Sequence, residues 1–360
     1  MRVQKEMMNE KIDKMIPHTF IGIGYCILLL LVCMMLTAGC ITIPTEENST
    51  ITFVQTNGEI TTLPGVAEKI VVLNANAVEL LAAIGAGDKV IGVSQAVKTH
   101  PERQYLFPEA QSVGQSTTPD AELIIKLDPD VIIAFDSMRP KNADVLEQSG
   151  IPIVYIDCYK PDTMHQDVTA LGIITGKTKE ANDYLEFYDS ILSTITERIA
   201  DIPETDYPIV YVEFSSDYDI QGPNTSSDML LNITGGKNVL TYPIIGSSTH
   251  VSDEWIVSNN PDVMIKMMTA ESLENIENTY ESLLARPGAS SMKAVSEKQV
   301  FILRNDMTYG PRLFAGAALM AKILHPVEFA DINVNALLDE YNQKFNLNFT
   351  HDILTYPKIE

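Results

Sequence analysis

Residues 121–134, AELIIKLDPDVIIA, and residues 253–266, DEWIVSNNPDVMIK, align when Glu122 is set on Glu254. In both, a glutamate on a short helical stretch stands seven residues before a Pro-Asp that opens a buried apolar run. Proline suits that entrance, because the first residue of a strand needs no ladder N–H. A second pair follows the same order: AVELLAAIGAGDKVIGV (77–93) against SDMLLNITGGKNVL (227–240), each a helix, a glycine C-cap and an extended run. Two matches in one order at similar spacing indicate a single βα module present twice.

Outward from these blocks, short apolar runs alternate with amphipathic stretches, the pattern of βα units and parallel sheets. Strands are expected at 69–73, 89–93, 131–135 and 153–157 in the first half, and at 208–214, 262–266 and 299–303 in the second. Helices are expected at 77–84, 121–127, 226–234 and 311–324. Residues 178–200 contain neither Gly nor Pro, and Ala181, Tyr184, Tyr188, Ile191, Ile195 and Ile199 step by three or four, which predicts one helix of about 35 Å. Its place near the middle of the chain makes it a strut. The fold class is therefore α/β: two similar lobes with mainly parallel sheets, joined by one long helix, with a ligand cleft between them. The expected segments are 51–177 for the first lobe, 178–203 for the connecting helix and 204–360 for the second lobe.

The N-terminus reads as a targeting segment. Arg2, Lys5, Lys11 and Lys14 precede an apolar run from Phe20 to Leu36 that ends in Thr37-Ala38-Gly39-Cys40. A basic flank, an apolar stretch and a small-residue exit make a secretory signal over 1–39. The ending resembles a lipobox with lipidation at Cys40, although Thr37 stands where leucine is usual. The rival is an uncleaved anchor, since residues 20–39 are long enough to span a bilayer. Both readings place the body outside the membrane, with 40–50 as a polar tether. Cys26 and Cys33 lie in the apolar run, so Cys158 alone remains in the body and reads as a buried filler.

The chain carries 48 acidic against 25 basic residues, a net charge of −23. Removing 1–39 takes away four basic and three acidic groups, leaving 21 − 45 = −24. Such a surface repels phosphate backbones, so nucleic acid is not an expected partner, while the exposed arginines of another protein are. GIITGKT (172–178) is one residue short of a phosphate loop and follows a helical stretch, so it reads as a glycine helix end. The six histidines have no close sequence partners, and no G-x-S-x-G elbow occurs. Nothing argues for chemistry on a substrate, and no resident metal or cofactor is expected. Four N-x-S/T triplets, at Asn48, Asn224, Asn232 and Asn348, are compatible with glycosylation and decide nothing.

The lipobox, the paired lobes, the mid-chain helix, the paired Glu-x6-Pro-Asp blocks and the closing segment AGAALMAKILHPVEFADINVNALLDEY (315–341) together resemble the extracytoplasmic substrate-binding proteins of iron-complex and cobalamin ABC importers. The resemblance covers about residues 60–345. It implies a rigid, helix-hinged clamp, monomeric, that captures a metal complex and hands it to a permease with its ATPase. It also implies that Glu122 and Glu254 dock onto permease arginines, for which Arg–carboxylate pairs are well suited. The bland alternative for these two is complementing the helix dipole.

Ligand contacts follow from topology, because ligands in open α/β sheets sit beyond the carboxyl ends of strands. That rule selects Asn74, Asn76, Ser94, Met138, Arg139 and Tyr159 in the first lobe, and Ser215, Tyr218, Tyr309 and Arg312 in the second. Arg139 and Arg312 are the cations suited to a siderophore carboxylate or catecholate, and the tyrosines suit an organic chelator. A loop-packing role is as plausible for any single member. The expected cargo is a ferric siderophore-like chelate, with cobalamin or haem as the alternative. An extracellular enzyme on the same fold is the reading from another class.

Overall fold

In a computed structural model that describes residues 50–214, 216–244, 248–350 and 353–359, the chain opens with an antiparallel hairpin, β1 (Ile51–Val54) and β2 (Ile60–Leu63). Then come β3 (Ile70–Val72), α1 (Ala75–Ala83), β4 (Val90–Val93), α2 (Gln95–Thr99), β5 (Gln111–Ser112), and the small hairpin β6 (Gly114–Gln115) and β7 (Thr118–Pro119). The first lobe is completed by α3 (Ala121–Leu127), β8 (Val131–Ala134), α4 (Ala143–Gln148), β9 (Ile153–Tyr155) and α5 (Met164–Thr175). Its sheet has the order β5-β4-β3-β8-β9, every pair parallel.

α6 (Thr178–Ala200) leads into the second lobe: β10 (Ile209–Glu213), β11 (Asp219–Ile220), α7 (Ser226–Ile233), β12 (Lys237–Asn238), β13 (Thr249–His250), α8 (Asp253–Asn259) and β14 (Val263–Met268). It continues with α9 (Ile276–Leu284), α10 (Lys293–Ser296), β15 (Val300–Arg304), α11 (Leu313–Leu324), α12 (Val334–Lys344) and β16 (Thr355–Tyr356). Here β12, β10, β14 and β15 are parallel and stand in the order of β4, β3, β8 and β9. The repeat read from the sequence is thus a repeat of strand order. The antiparallel margins β11, β13 and β16 are two residues each, too short to carry a period, and the sequence does not announce them.

The paired blocks match down to single hydrogen bonds. Asp120 caps α3 through Leu123 N–H and Ser252 caps α8 through Trp255 N–H. Both helices stop at a left-handed residue, Asp128 (φ 50°) and Asn260 (φ 43°), types that tolerate this region. The following aspartate then clasps the neighbouring strand. Asp130 N–H donates to Lys69 O at 2.9 Å, while its carboxylate accepts from Lys69 N at 2.8 Å. Asp262 N–H donates to Ile209 O at 2.8 Å, and its carboxylate accepts from Ile209 N at 2.7 Å. The second pair agrees as well, with Gly85 at φ +68° closing α1 and Gly235 at φ +69° closing α7. Gly176 at φ +70° ends α5, as expected of GIITGKT.

Alternation along each sheet sends residues to two faces. Val72, Ile133 and Val154 of the first sheet share one continuous core with Val212, Ile265 and Leu303 of the second, filled in by α5, α6, α11 and α12. Val71 and Ile132 turn the other way, onto Ile124 and Leu146 of α3 and α4, and Met264 and Ile302 turn onto Ile256 and Leu283 of α8 and α9. α6 buries all six of the residues named for it and packs against α5 on one side and α7 and α11 on the other. Tyr184 Oη donates to Pro311 O at 2.6 Å, and Phe187 stacks edge-on against Phe314.

The signal, the Cys40 lipidation site and all but the last residue of the tether lie outside the described residues. Among the described residues, no helix is long and apolar enough to cross a membrane.

Candidate functional site

In each lobe the helices run back antiparallel to the strands, so helix N-termini and strand carboxyl ends share one edge. The two edges meet. Gly310 N–H, in the turn after β15, donates to Tyr159 O, in the turn after β9, at 3.1 Å. His100 Nε2 stands 3.9 Å from Glu271 Oε1 across the same seam. His100 Nδ1 accepts from Glu102 N and Arg103 N, which fixes the Nε2–H tautomer, and burial together with Arg103 lowers its pKa to about 4.

A buried ion cluster locks the seam. Arg312 reaches Glu79 (3.0 Å) and Glu102 (3.3 Å) of the first lobe and Asp306 (2.9 Å) of its own. Arg304 spans the same gap, to Glu102 at 2.8 Å and Asp306 at 2.7 Å, and Arg103 lies 3.9 Å from Glu79. Three carboxylates therefore face three guanidiniums. Burial opposes ionisation of Asp306, but Arg312 and Arg304 outweigh it and hold the carboxyl far below its ordinary value. At Glu79 burial wins over Arg312 and Arg103, and the carboxyl is raised.

The expected ligand residues divide. Arg312 is 1% exposed, its guanidinium is surrounded by carboxylates, and its Cζ lies 4.3 Å over the Phe349 ring, so it is a joint between lobes and not a hand held out to cargo. Asn74 is also fully buried: its Oδ1 caps α1 through Asn76 N and Ala77 N, and its Nδ2 donates to the carbonyls of Ile156 and Asp157. Asn76 is buried against Gly310 and Ser94 is fully buried, so neither side chain is offered to solvent. Tyr218 turns to α8 instead, its Oη donating to Asp253 Oδ1 at 3.1 Å beneath the Arg286 guanidinium. Ser215 lies outside the described residues.

Tyr159 and Tyr309 are half-buried on the two sides of the seam, and Tyr309 packs near Phe214 with centroids 6.5 Å apart. Met138 is exposed. Arg139 is half-exposed but is gripped by Asp136, and its Cζ lies 4.0 Å over the Tyr155 ring. Glu122 and Glu254 are exposed, each the second residue of its helix. Hydrogen bonds from Ser252 and from its own backbone N–H lower the Glu254 pKa.

Sequence reading missed a second buried cluster. Glu213, at the end of β10, accepts from Lys266 Nζ (2.8 Å), both Arg286 terminal nitrogens (2.6 and 2.9 Å) and Tyr211 Oη (2.6 Å). Burial opposes its ionisation, but Arg286 and Lys266 keep its pKa lowered. The available signal was a lysine inside the apolar strand VMIKMM, since a buried ammonium demands a carboxylate partner. A cavity of about 430 Å³ lies at the lobe junction, between Glu102 and Phe107 of the first lobe and Asn346 to Thr350 of the second, and one of about 620 Å³ lies within the second lobe beside Ile276 and Ile332. Among the described residues, no group of three His, Cys, Asp or Glu could hold a metal ion.

Two lobes built from one module, facing each other at their strand ends and bridged by a helix, define a two-lobed solute-binding protein. Residues 70–307 match the family model described as Periplasmic binding protein, and the chain belongs to that family. It is 27% identical over 272 residues to the "Uncharacterized ABC transporter substrate-binding lipoprotein YvrC" of Bacillus subtilis, covering 73% of this chain and 82% of that protein. It is 28% identical over 276 residues to a "Cobalamin-binding protein" of Halobacterium salinarum, covering 73% and 71%. Among solved structures, the "TroA-like Periplasmic Binding Protein FepB" of Veillonella parvula superposes with a TM-score of 0.69 at 23% identity, over 85% of this chain and 99% of that one. The molybdate-bound MolA of Haemophilus influenzae does so with a TM-score of 0.70 at 18% identity, over 83% and 99%. These two likenesses bear on the fold.

Proposed function

We propose that this chain is the solute-binding component of an ABC importer, held outside the membrane by a lipid on Cys40, and that its cargo is a bulky metal chelate, cobalamin ahead of a ferric siderophore. The observation that carries the choice of cargo is the state of the cations. A polyanionic ferric catecholate needs free guanidiniums, and here Arg312 is enclosed by three carboxylates and Arg139 is held by Asp136. Beside the facing pair His100 and Glu271, the half-buried residues at the seam include three aromatic rings, Tyr159, Tyr309 and Phe214. Such a lining suits a large corrinoid ring. The named cobalamin binder among the relatives supports this reading, as the named lipoprotein supports the anchor. A ferric chelate is the second reading, favoured by the half-exposed Arg139 and by Lys160 at the lip.

The test is thermal shift on the soluble chain from Ile41 with cyanocobalamin, a ferric hydroxamate, a ferric catecholate, haem and molybdate. Cargo at about a hundred times its Kd adds about 2.7 kcal/mol, a shift of a few degrees. A shift with cyanocobalamin alone is expected. A shift confined to the catecholate would reverse the order of cargoes, and a flat panel would remove both.

Docking has its own prediction. Glu122→Ala or Glu254→Ala removes a charged hydrogen bond to a permease arginine, about 1.5–3 kcal/mol, so uptake falls about tenfold or more while cargo affinity is unchanged. A variant that loses cargo affinity instead would place its glutamate in the cleft and not on the permease.

A further inference from the structure

Two turns at the carboxyl ends of first-lobe strands, residues 136–139 after β8 and 157–160 after β9, the second of which meets the other lobe through Tyr159, are held from behind by buried polar groups. Asp157 Oδ1 accepts from the N–H groups of Asp136 (2.8 Å) and Ser137 (3.2 Å) and from Ser137 Oγ (3.1 Å). Asp157 N–H donates to Thr56 Oγ1 at 2.8 Å, and Thr56 donates in turn to Asp167 Oδ1 at 2.6 Å. Asp167 Oδ2 accepts from Cys158 N–H at 2.8 Å and from Thr163 Oγ1 at 3.3 Å. Cys158 is thereby held at φ +56°, a conformation that non-glycine residues adopt only when their surroundings enforce it. The next residue, Tyr159, gives its carbonyl to Gly310 of the other lobe.

Asp167 is fully buried in α5, yet its partners are hydroxyls and an amide. The titratable groups that face it from the turn are the Asp157 carboxylate and the Cys158 thiol, and neither favours a negative charge beside it. The hairpin faces it with Thr56, and on its own helix His165 points away to Asp189 at 2.7 Å. A buried carboxylate without a counter-ion works against the fold, so its place is explained by what it holds.

We propose that Asp167, acting through Thr56 and the Cys158 amide, is a positioning residue for cargo: its carboxylate sets both of these first-lobe turns, and cargo affinity depends on its ionisation. This rests on the cargo cleft proposed above. Burial raises the Asp167 carboxyl to about 6, against the opposing hydrogen bonds from Thr56 and Cys158. The group is thus ionised at neutral pH and protonated below pH 6. The sign for stability is opposite to that for binding. A raised carboxyl favours the fold in its protonated form, so its stabilising contribution is lost as pH rises through about 6.

The experiment has two arms. In the first, cyanocobalamin, whose charge is constant from pH 5 to 8, is titrated into wild type and Asp167→Asn. Wild-type affinity is expected to fall about tenfold from pH 7.5 to pH 5, as a charge-assisted bond is lost. Asp167→Asn is expected to bind about tenfold more weakly at pH 7.5, to be flat with pH, and to melt at or above wild type. A residue with a merely structural role would lower the melting temperature and leave the pH profile in place. The second arm needs no cargo: amide exchange at Cys158 and Gly310 is expected to be about tenfold faster in Thr56→Val, whose side chain can neither donate to Asp167 nor accept from Asp157. Parallel pH profiles for wild type and Asp167→Asn, or unchanged exchange in Thr56→Val, would overturn the proposal. Absence of cyanocobalamin binding by wild type at every pH would sink the cargo reading alone, and the exchange arm would then decide.

Discussion

Replacing Arg312 with Met is expected to cost about 3–5 kcal/mol of stability, the range for removing one partner of a buried ion pair. The hydrophobic stem is conserved in shape, so little of this comes from a cavity. The loss comes from Glu79, Glu102 and Asp306, which share the guanidinium from two lobes and would be left with Arg304 and Arg103. Arg103 is 3.9 Å from Glu79 and cannot replace a 3.0 Å contact. Chemical denaturation should therefore show a lower midpoint, and Tm should fall by several degrees. The pH dependence has a definite sign. Asp306 is depressed in the folded chain, so the stability it contributes is present above its unfolded pKa and is lost as pH falls below that value. That acid-side loss should shrink in Arg312→Met, because one of the cations that depress Asp306 is gone. An unchanged midpoint with a large loss of cargo affinity would return Arg312 to the binding site.

Arg312, buried and paired where the sequence suggested an open cation, shows what a sequence does and does not carry. The rule that ligands sit beyond strand ends places it correctly, in the turn after β15 and at the seam. What it cannot supply is the partner list, because Glu79 and Glu102 lie more than two hundred residues earlier in the chain, and their approach depends on how the lobes face each other. The same holds for Asn74, whose amide donates to the carbonyls of Ile156 and Asp157, just past β9 and about eighty residues away. By contrast, β3, β4, β8, β9, β10, β14 and β15 are legible because each is a dense apolar run, and α6 because its six buried residues keep the helical period. The paired Glu-x6-Pro-Asp blocks were legible as a repeat, but the work of the aspartate was not. It clasps the neighbouring strand, and Asp130→Ala or Asp262→Ala is expected to cost about 1 kcal/mol by denaturant titration. The hairpin β1–β2 is silent in sequence because its strands are four residues long and mostly exposed, yet it delivers Thr56 to the turn after β9.

These contacts also bear on how such a clamp moves. A core continuous from Val72 to Leu303, the Tyr184–Pro311 bond and an ion cluster crossing the seam all resist a wide hinge, because opening would expose paired charges and apolar surface together. Modest adjustment at Tyr159–Gly310 and His100–Glu271 is compatible with the same contacts.

Gly316→Ala is the sharper probe of that stiffness. A Cβ at Gly316 would stand 1.8 Å from Met307 O and 2.6 Å from its carbonyl carbon, far inside contact distance and against backbone that cannot rotate away. Either α11 or the 305–307 turn must shift by more than an ångström. Overpacking of this kind costs about 1–3 kcal/mol, and the rigidity of the obstacle puts this case at about 3 or more. The displaced turn carries Asp306 into the ion cluster and runs on to Tyr309 and Gly310, so the damage is not confined to the helix. Ala317→Gly is the fitting comparison. It loses about 1 kcal/mol of helix propensity and a buried methyl of about 0.8, but opens space and presses on nothing. If the seam depends on the 305–312 turn, Gly316→Ala will speed amide exchange at Gly310 and weaken cargo binding, whereas Ala317→Gly, destabilising by about 2 kcal/mol without pressing on the turn, will do neither. Equal behaviour of the two would mean that the turn yields without disturbing the seam, and that the lobes are held together by α6 and the shared core alone.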